Sequence, residues 1–467
     1  MQASDLIMAT TADDGKTANK RPSNRWTLFI VFLSLLVDLL GFTVILPLIP
    51  SMLEYYSTHD QSGLYDYLLK SVDGFRLYIG GPDTERFNLV LFGGLLGSLY
   101  SFLQFLTSPL LGASSDVYGR KPLLLLTMVG VLLSYALWAL SYNFGLFVVA
   151  RILAGVSKGN VSLSTAIVTD ITTAEGRSKG MAMVGAAFSL GFLFGPSIGA
   201  GFSLMGHGNQ GSFLAFQYPA LFALTLTLLN IGLVAGLLSE TLPPGQRATS
   251  LGGGITGALY LVNPVSLFKY DSVTQISCQD RSRLRRLGLV YFLYIFLFSG
   301  LEYSLTFLVH QRFGYSSMDQ GKMFLFIGVV MILVQGGYLR RQPAGREKTT
   351  ALVGMLALIP GMLLVGWASS ATMLYGGLFL YSFGSGTVVP SLTSIASKFG
   401  EDSEKGKVLG IIRSIGALGR AFGPFVACTV YWQYSACVCY MTGAALFSLP
   451  LLLLALATTT PSKLKDT

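Results

Sequence analysis

Six ionisable side chains lie inside long apolar stretches of this sequence, where a charge is costly. They are Asp38, Arg151, Lys158, Glu302, Arg413 and Arg420. A charged side chain at mid-membrane costs roughly 2.5 to 3.5 kcal/mol on insertion scales, so each is expected to face protein or a water-filled cavity. Cations in such a setting can bind an anion, and buried carboxylates can exchange a proton. The sequence therefore indicates anion binding and proton transfer inside a membrane.

The composition supports a membrane protein. Of the 467 residues, 52% are hydrophobic and 12% are charged, whereas a soluble domain carries about 25% charged residues. With 3 histidines and 4 cysteines, no metal site and no cofactor are predicted, and the cysteines are expected to be free thiols. No nucleophile–base pair or phosphate-binding loop is present, which argues against an enzyme. The net charge of +9 resides mainly in loops and does not indicate nucleic-acid binding.

Twelve apolar stretches are long enough to span a bilayer as helices. They begin near Trp26, Asn88, Leu123, Phe144, Met181, Phe213, Gly288, Gln320, Thr349, Met373, Val408 and Ala436. The predicted fold is an all-α membrane protein with two pseudo-symmetric six-helix halves. Its predicted segments are an N-terminal tail (1–25), a first half (26–238), a linker (239–287), a second half (288–457) and a C-terminal tail (458–467).

Lysine and arginine residues are distributed unevenly over the loops between these stretches. One set of alternate loops, together with the linker and both tails, carries most of them. The opposite loops carry Lys70, Arg76, Arg86 and Arg312. Because cytoplasmic loops are enriched in lysine and arginine, this distribution predicts that both termini and the linker lie in the cytoplasm.

A short repeat relates the two predicted halves. The segment SLGFLFGP (189–196) matches ALGRAFGP (417–424) at a constant offset. The identical positions are Gly191 and Gly419, Phe194 and Phe422, Gly195 and Gly423, and Pro196 and Pro424. The repeat aligns Arg413 and Arg420 with Gly185 and Phe192. Since the repeat does not require these two cations, we expect them to bind an anion. For Arg413, a lipid phosphate or a gate partner is an equal alternative.

The segment GASSDVYGRKP (112–122), here called the gate loop, joins two predicted spans. Its residues Gly112, Asp116, Gly119, Arg120 and Lys121 place a carboxylate one helical turn before a Gly-Arg-Lys cluster. Glycine permits a tight turn and the close approach of a neighbouring helix. A charge cluster at a membrane edge suits a gate, because it can pair with a helix end or an arginine in one conformation and release it in another.

The gate loop resembles the loop motif of the major facilitator superfamily, and three further segments resemble its helix motifs. They are VDLLGFTVILPLIP (37–50), RILAGVSKGN (151–160) and GFLFGPSIGA (191–200). The last resembles the antiporter motif of the drug:proton antiporter branch. This resemblance implies two halves that rock about a central site, with close helix packing on the fifth helix and its repeat. The packing residues would be Gly191, Gly195, Pro196, Gly199, Gly423 and Pro424.

The same branch implies a small amphipathic organic anion as the substrate, protons as the coupling ion, the lipid bilayer as the surroundings and a monomer as the working unit. The predicted substrate-binding residues are Lys158, Arg420, Arg413 and Arg151. The predicted proton-coupling residues are Asp38 and Glu302. The location is predicted to be the plasma membrane or an intracellular membrane.

Two alternatives stay open at the level of the sequence. Lys158 either binds the anion or forms a structural pair with a carboxylate. Likewise, Asp38 and Glu302 either exchange a proton or are both held in ion pairs. If both acids are structural, the chain is an uncoupled facilitator of a lipid-like anion. A membrane scaffold or receptor that does not transport is the remaining interpretation.

Overall fold

The computed structural model describes residues 24–79, 88–172, 174–205, 214–247, 259–271, 273, 276–343, 345–399 and 405–459. This part of the chain is helical and contains no strand. Twelve helical segments within it are long and apolar enough to cross a membrane, which confirms the predicted fold class. Most of both predicted tails and part of the predicted linker lie outside the described residues.

The first half supplies six spanning helices. They are α1 (Asn24–Thr43, Leu46–Leu48 and Ile49–His59), α2 (Asn88–Tyr118), α3 (Arg120–Ala139), α4 (Phe144–Ser157 and Asn160–Ile171), α5 (Ala174–Met205) and α6 (Leu214–Leu237). The α-helical part of α1 changes to a 3-10 turn around Pro47, since proline offers no N–H to the helical ladder. A further helix, Leu64–Ile79, lies in the chain between α1 and α2.

The second half supplies the other six. They are α7 (Cys278–Phe313), α8 (Ser317–Leu333, Val334–Tyr338 and Leu339–Arg341), α9 (Glu347–Trp367), α10 (Ala371–Ala396), α11 (Lys405–Gln433) and α12 (Ala436–Leu446 and Ser448–Leu456). Helix α7 begins well before the predicted start at Gly288, because the Ser277 hydroxyl accepts from the Asp280 N–H and caps it. The end of the predicted linker is therefore helical.

The loop after α1 is organised by the Asp60 carboxylate. It accepts hydrogen bonds from the backbone N–H groups of Phe144 (2.9 Å), Ser62 (3.1 Å) and Tyr65 (3.1 Å). Partial burial by itself would raise the pKa of this carboxyl, but these hydrogen bonds outweigh it and hold the pKa below its ordinary value. Asp60 thereby fixes the start of α4 to the end of α1.

The two halves meet along two related helix pairs, α2 against α11 and α5 against α8. Glycines make these contacts close. A Cβ atom at Gly94 of α2 would lie 2.5 Å from the Cβ of Cys428 on α11, and one at Gly328 of α8 would lie 2.6 Å from Leu193 on α5. Because helices 2 and 8, and helices 5 and 11, are equivalent in a six-helix repeat, the two pairs are related by the same repeat.

Contacts between the halves also occur at the end of the bundle opposite the gate loop. Phe307 of α7 packs on Gly93 of α2, and the Trp432 indole N–H donates to the Asn88 side-chain oxygen at 3.0 Å. His310 Nε2 lies 3.4 Å from a carboxylate oxygen of Glu54, on the second part of α1. These contacts hold the two halves together at that end.

Candidate functional site

Asp38 of α1 and Lys158 of α4 form a buried ion pair. The Lys158 ammonium lies 2.6 Å from Asp38 Oδ2, and the Asn160 amide donates to Asp38 Oδ1 at 2.7 Å. Thr127 of α3 in turn donates to the Asn160 oxygen at 2.8 Å. With Lys158 only 4% exposed, both ions are withdrawn from water and both carboxylate oxygens have a donor. This geometry corresponds to the structural-pair alternative for Lys158.

A break in α4 positions this pair. The helix stops at Ser157 and restarts at Asn160, and Lys158 and Gly159 form the tight connection between the two parts. A Cβ atom at Gly159 would lie 2.7 Å from a Leu111 methyl carbon, so a larger residue here would displace the Leu111 side chain of α2. The break turns Lys158 and Asn160 toward the same carboxylate on α1.

Aromatic rings contact the two cations of α4. The Arg151 guanidinium carbon lies 4.5 Å from the centre of the Tyr100 ring, and the Lys158 ammonium lies 5.0 Å from the centre of the Phe42 ring. Phe42 and Tyr100 stack on each other, with ring centres 5.5 Å apart. In the described part of the chain, Arg151 has no carboxylate within ion-pairing distance. Its charge is stabilised by a ring face instead.

Glu302 and Arg420 form a second charged group, in the second half. The Tyr381 hydroxyl of α10 donates to Glu302 Oε1 at 3.1 Å, and Arg420 of α11 interacts electrostatically with Glu302. Arg420 is exposed, although it lies inside a spanning helix. Because exposure of a guanidinium to lipid would be very costly, we expect this side chain to face water or a ligand and not the lipid.

Arg413 lies two turns from Arg420 on α11 but has different surroundings. Its guanidinium contacts the Met181 sulfur on α5 at 3.7 Å, so it bridges the two halves through a weak acceptor. Tyr291 of α7 interacts electrostatically with both arginines. Arg413 and Arg420 thus share Tyr291 as a neighbour, whereas Lys158 is paired with Asp38 of the first half.

The predicted packing glycines face the first helix of each half. Gly191, Gly195 and Gly199 of α5 lie against Leu39, Thr43 and Val44 of α1, respectively. In the second half, Gly423 of α11 lies against Phe296 and Ser299 of α7. The Thr43 hydroxyl also lies 2.8 Å from the Gly191 carbonyl oxygen, to which it can donate. The repeat seen in the sequence therefore corresponds to equivalent helix contacts in both halves.

The gate loop is built around the Arg120 side chain. Arg120 pairs with Asp116 one turn earlier and, through Nε, with Asp170 Oδ2 of α4 at 2.8 Å. It also donates to the Ser115 hydroxyl. Its guanidinium is mostly buried, whereas the Asp116 side chain is 52% exposed. Arg120 therefore ties α2 and α3 to the end of α4, and leaves Asp116 open to a further partner.

Glu240, shortly after the end of α6, binds to the gate loop. Its carboxylate accepts from the backbone N–H groups of Arg120 (3.0 Å) and Lys121 (3.2 Å), at the start of α3. It thereby supplies acceptors and negative charge to the N-terminus of that helix. Gly119 has a φ of +105°, and a Cβ atom there would lie 2.5 Å from a Glu240 oxygen. The positive φ favours glycine at this position, and an added Cβ would displace the Glu240 carboxylate from the start of α3.

Two residues of this cluster, Asp170 and Glu240, are absent from the sequence-based prediction. Asp170 is separated from Arg120 by 50 residues and Glu240 by 120, so no local pattern links them. The one signal in the sequence is that each acid lies at the end of an apolar stretch, at the same predicted end as the gate loop. In the described residues, no group of three or more His, Cys, Asp or Glu side chains could hold a metal ion.

Comparisons with known proteins agree with this architecture. Residues 31–424 match the model of the Major Facilitator Superfamily. The chain is 47% identical to mouse major facilitator superfamily domain-containing protein 10 over 436 residues, covering 92% of this chain and 93% of the mouse protein. It is 26% identical to the class C tetracycline resistance protein of Escherichia coli, over 76% of this chain and 84% of that protein.

A solved structure is similar over nearly the whole chain. The crystal structure of the human organic anion transporter MFSD10 (TETRAN) has a TM-score of 0.78 and 46% sequence identity, and the match covers 93% of this chain and 100% of that chain. The family model and these relatives describe carriers, not enzymes. The chain therefore belongs to the Major Facilitator Superfamily and is a transporter, with twelve candidate spanning helices in its described residues.

Proposed function

We propose that this transporter carries small amphipathic organic anions by alternating access, in antiport with protons. The observation that carries the proposal is the state of the cations inside the spans. Lys158 is neutralised by Asp38, whereas Arg413 and Arg151 contact a sulfur and a ring. Arg420 is exposed and has Glu302 as its nearby acid. The interior thus has more cations than paired carboxylates, which favours an anionic ligand.

Arg420 is the proposed primary anion-binding residue. Its guanidinium offers several N–H donors in a planar fork that matches a carboxylate or sulfonate. Tyr291 and Tyr381 lie near the same group, so an apolar or aromatic body of the ligand would meet ring surfaces. The human relative MFSD10 is an organic anion transporter, and this similarity supports the same substrate class. Lys158 would take part only when its pair with Asp38 opens.

Glu302 is the proposed proton-exchanging residue. Its carboxylate is bonded to a neutral hydroxyl, not to a cation at ion-pairing distance, in the described residues. Arg420 interacts electrostatically with Glu302, so the protonation of Glu302 and the occupancy of Arg420 by an anion would be linked. This linkage is the proposed basis of coupling.

Alternating access is supported by the contacts between the halves. They include Phe307 with Gly93 and Trp432 with Asn88, at the end opposite the gate loop. We place the gate-loop end in the cytoplasm, because lysines and arginines concentrate in the loops of that end. The structure would then correspond to a state closed on the outer side. In the opposite state, the exposed Asp116 would pair with the second half.

An uncoupled facilitator is the second candidate, and one observation favours it. Asp38 is held in a dry ion pair with Lys158, as expected of a structural acid. If Glu302 is equally fixed by Tyr381, no carboxylate changes protonation during transport. The anion would then follow its own gradient.

Uptake into proteoliposomes would test both candidates. We would measure labelled amphipathic anions and cations, with and without an imposed pH gradient, for the unmodified protein, Arg420→Ala and Glu302→Gln. The proposal expects that anion uptake follows the gradient, that Arg420→Ala reduces anion uptake more than cation uptake, and that Glu302→Gln removes the gradient dependence. Lys322→Gln is the control, because this lysine is 65% exposed and pairs only locally with Asp319.

Anion uptake that is indifferent to the gradient would reject proton coupling and support the facilitator. Equal loss of anion and cation uptake in Arg420→Ala would reject the anion site. No uptake of any substrate by folded, reconstituted protein would favour a scaffold or receptor.

A further inference from the structure

Four side chains in the first half form one layered stack. The Lys158 ammonium faces the Phe42 ring at 5.0 Å, Phe42 stacks on Tyr100 at 5.5 Å, and the Arg151 guanidinium faces Tyr100 at 4.5 Å. Two cations from α4 therefore bracket an aromatic pair from α1 and α2. Neither the repeat nor the gate loop requires this arrangement, and the transport proposal above makes no use of Phe42.

The Lys158 ammonium has two kinds of partner. One is the Asp38 carboxylate at 2.6 Å, and the other is the face of the Phe42 ring. With Lys158 only 4% exposed, bulk water cannot replace either partner. A ring face attracts a cation through its quadrupole, and this attraction is stronger in a desolvated site than at a surface.

We infer that Phe42 is a positioning residue, whose ring holds the Lys158 ammonium in place when Asp38 carries no charge. While Asp38 is ionised, its charge supplies most of the attraction on the ammonium and the ring supplies a smaller part. When Asp38 is neutral, its oxygen can still accept a hydrogen bond from the ammonium, but the charge is gone, and the attraction of the ring becomes the larger share. The inference goes beyond the proposed function, because it concerns a neutral Asp38 whether or not that state occurs during transport.

The other polar groups around the pair do not replace the ring. On the described helices they are Asn160 and Arg151 of α4, Thr127 and Tyr135 of α3, and Tyr100 of α2. Arg151 is a like charge and cannot stabilise Lys158. The Asn160 and Thr127 side chains are already bonded to Asp38 and to each other, and the tyrosines interact electrostatically with Asp38 and Arg151.

A double-mutant cycle on the full-length protein would test the inference. The proteins are the unmodified chain, Asp38→Asn, Phe42→Leu and the double variant, and the measurement is the unfolding equilibrium in mixed micelles. Phe42→Leu should weaken folding by roughly tenfold or more in the Asp38→Asn background beyond its effect in the unmodified chain. If the ring only fills space, Phe42→Leu should reduce the stability by the same amount in both backgrounds, and that result would overturn the inference.

Two further variants separate the cation–ring contact from packing. Phe42→Trp keeps a ring and should preserve the stability of the Asp38→Asn protein. Phe92→Leu removes a buried ring that meets the Tyr65 ring edge to face, away from this stack. It should lower the stability by the same amount with and without Asp38. If Asp38→Asn does not fold, Lys158→Met replaces it as the background. Phe42→Leu should then cost less than in the unmodified chain, and an unchanged cost would refute the role.

The cycle is independent of the transport proposal. If the coupling between Asp38 and Phe42 is found but uptake ignores the pH gradient, the positioning role stands and proton antiport fails. If uptake follows the gradient but the stability losses of Asp38→Asn and Phe42→Leu are additive, antiport stands and Phe42 is a packing residue.

Discussion

Removal of the Glu240 side chain should destabilise the start of α3 by a definable amount. In Glu240→Ala, the N–H groups of Arg120 and Lys121 lose the carboxylate that accepts from them at 3.0 and 3.2 Å. Loss of a side chain that caps a helix N-terminus costs about 0.5–2 kcal/mol. The Arg247 guanidinium, 3.8 Å from Glu240, loses a partner too, but both side chains are partly exposed, so this adds little.

Glu240→Gln separates the two parts of this effect. The amide oxygen can still accept from one N–H group, but the negative charge at the positive end of α3 is lost. That charge is worth about 0.3–1 kcal/mol near a helix N-terminus. We therefore expect the order unmodified, then Glu240→Gln, then Glu240→Ala, with the full span within about 2 kcal/mol.

The free energy of unfolding in mixed micelles of SDS would measure this order. Asp66→Ala is the matched control, since Asp66 is an exposed acid in the first turn of the helix Leu64–Ile79, and its loss should cost a few tenths of a kcal/mol at most. The capping role would be refuted if Glu240→Ala were as stable as the unmodified protein, or if Glu240→Gln were as damaging as Glu240→Ala.

Three further predictions follow from the geometry. Asp116→Asn should abolish transport but leave the amount of folded protein unchanged, because Arg120 keeps its second carboxylate; normal uptake beside a Lys322→Gln control would exclude the gate role. Asp60→Asn should make the stability decrease less as pH falls. The pKa of the Asp60 carboxyl is lowered in the folded protein, so this carboxyl stabilises the protein above its unfolded pKa of about 4, and the contribution disappears as pH falls through the folded pKa. Equal acid sensitivity of both proteins in thermal unfolding would contradict this. Gly94→Leu should disfavour the contact of α2 with Cys428, because a Cβ atom at this position would lie 2.5 Å from Cys428. The end of the bundle opposite the gate loop, where Gly94 lies, should then become more accessible to solvent. Unchanged labelling of a cysteine introduced at that end would count against this prediction.

Local pattern was enough to predict the spans and the repeat. Apolar stretches of membrane length produce helices wherever they occur, because the backbone has no other partner in lipid. The aligned Gly-Pro segments predicted equivalent positions, and Gly195 and Gly423 do lie against the first helix of their respective halves. The predicted start of α7 near Gly288 was too late, because the helix has a polar first part that begins at Cys278 after the Ser277 cap.

Which charges pair could not be read from the sequence. The sequence contains six ionisable groups within the spans, but Coulomb attraction depends on distance in space and not along the chain. Asp38 and Lys158, for example, are 120 residues apart. Tertiary packing decided that Lys158 is sealed beside Asp38 while Arg420 is exposed, and that Asp170 and Glu240 complete the gate loop. The sequence by itself determined where helices form, through hydrophobicity and backbone hydrogen bonding. Their packing alone determined the partner of each charge, because burial and a few ångströms of separation set its energy.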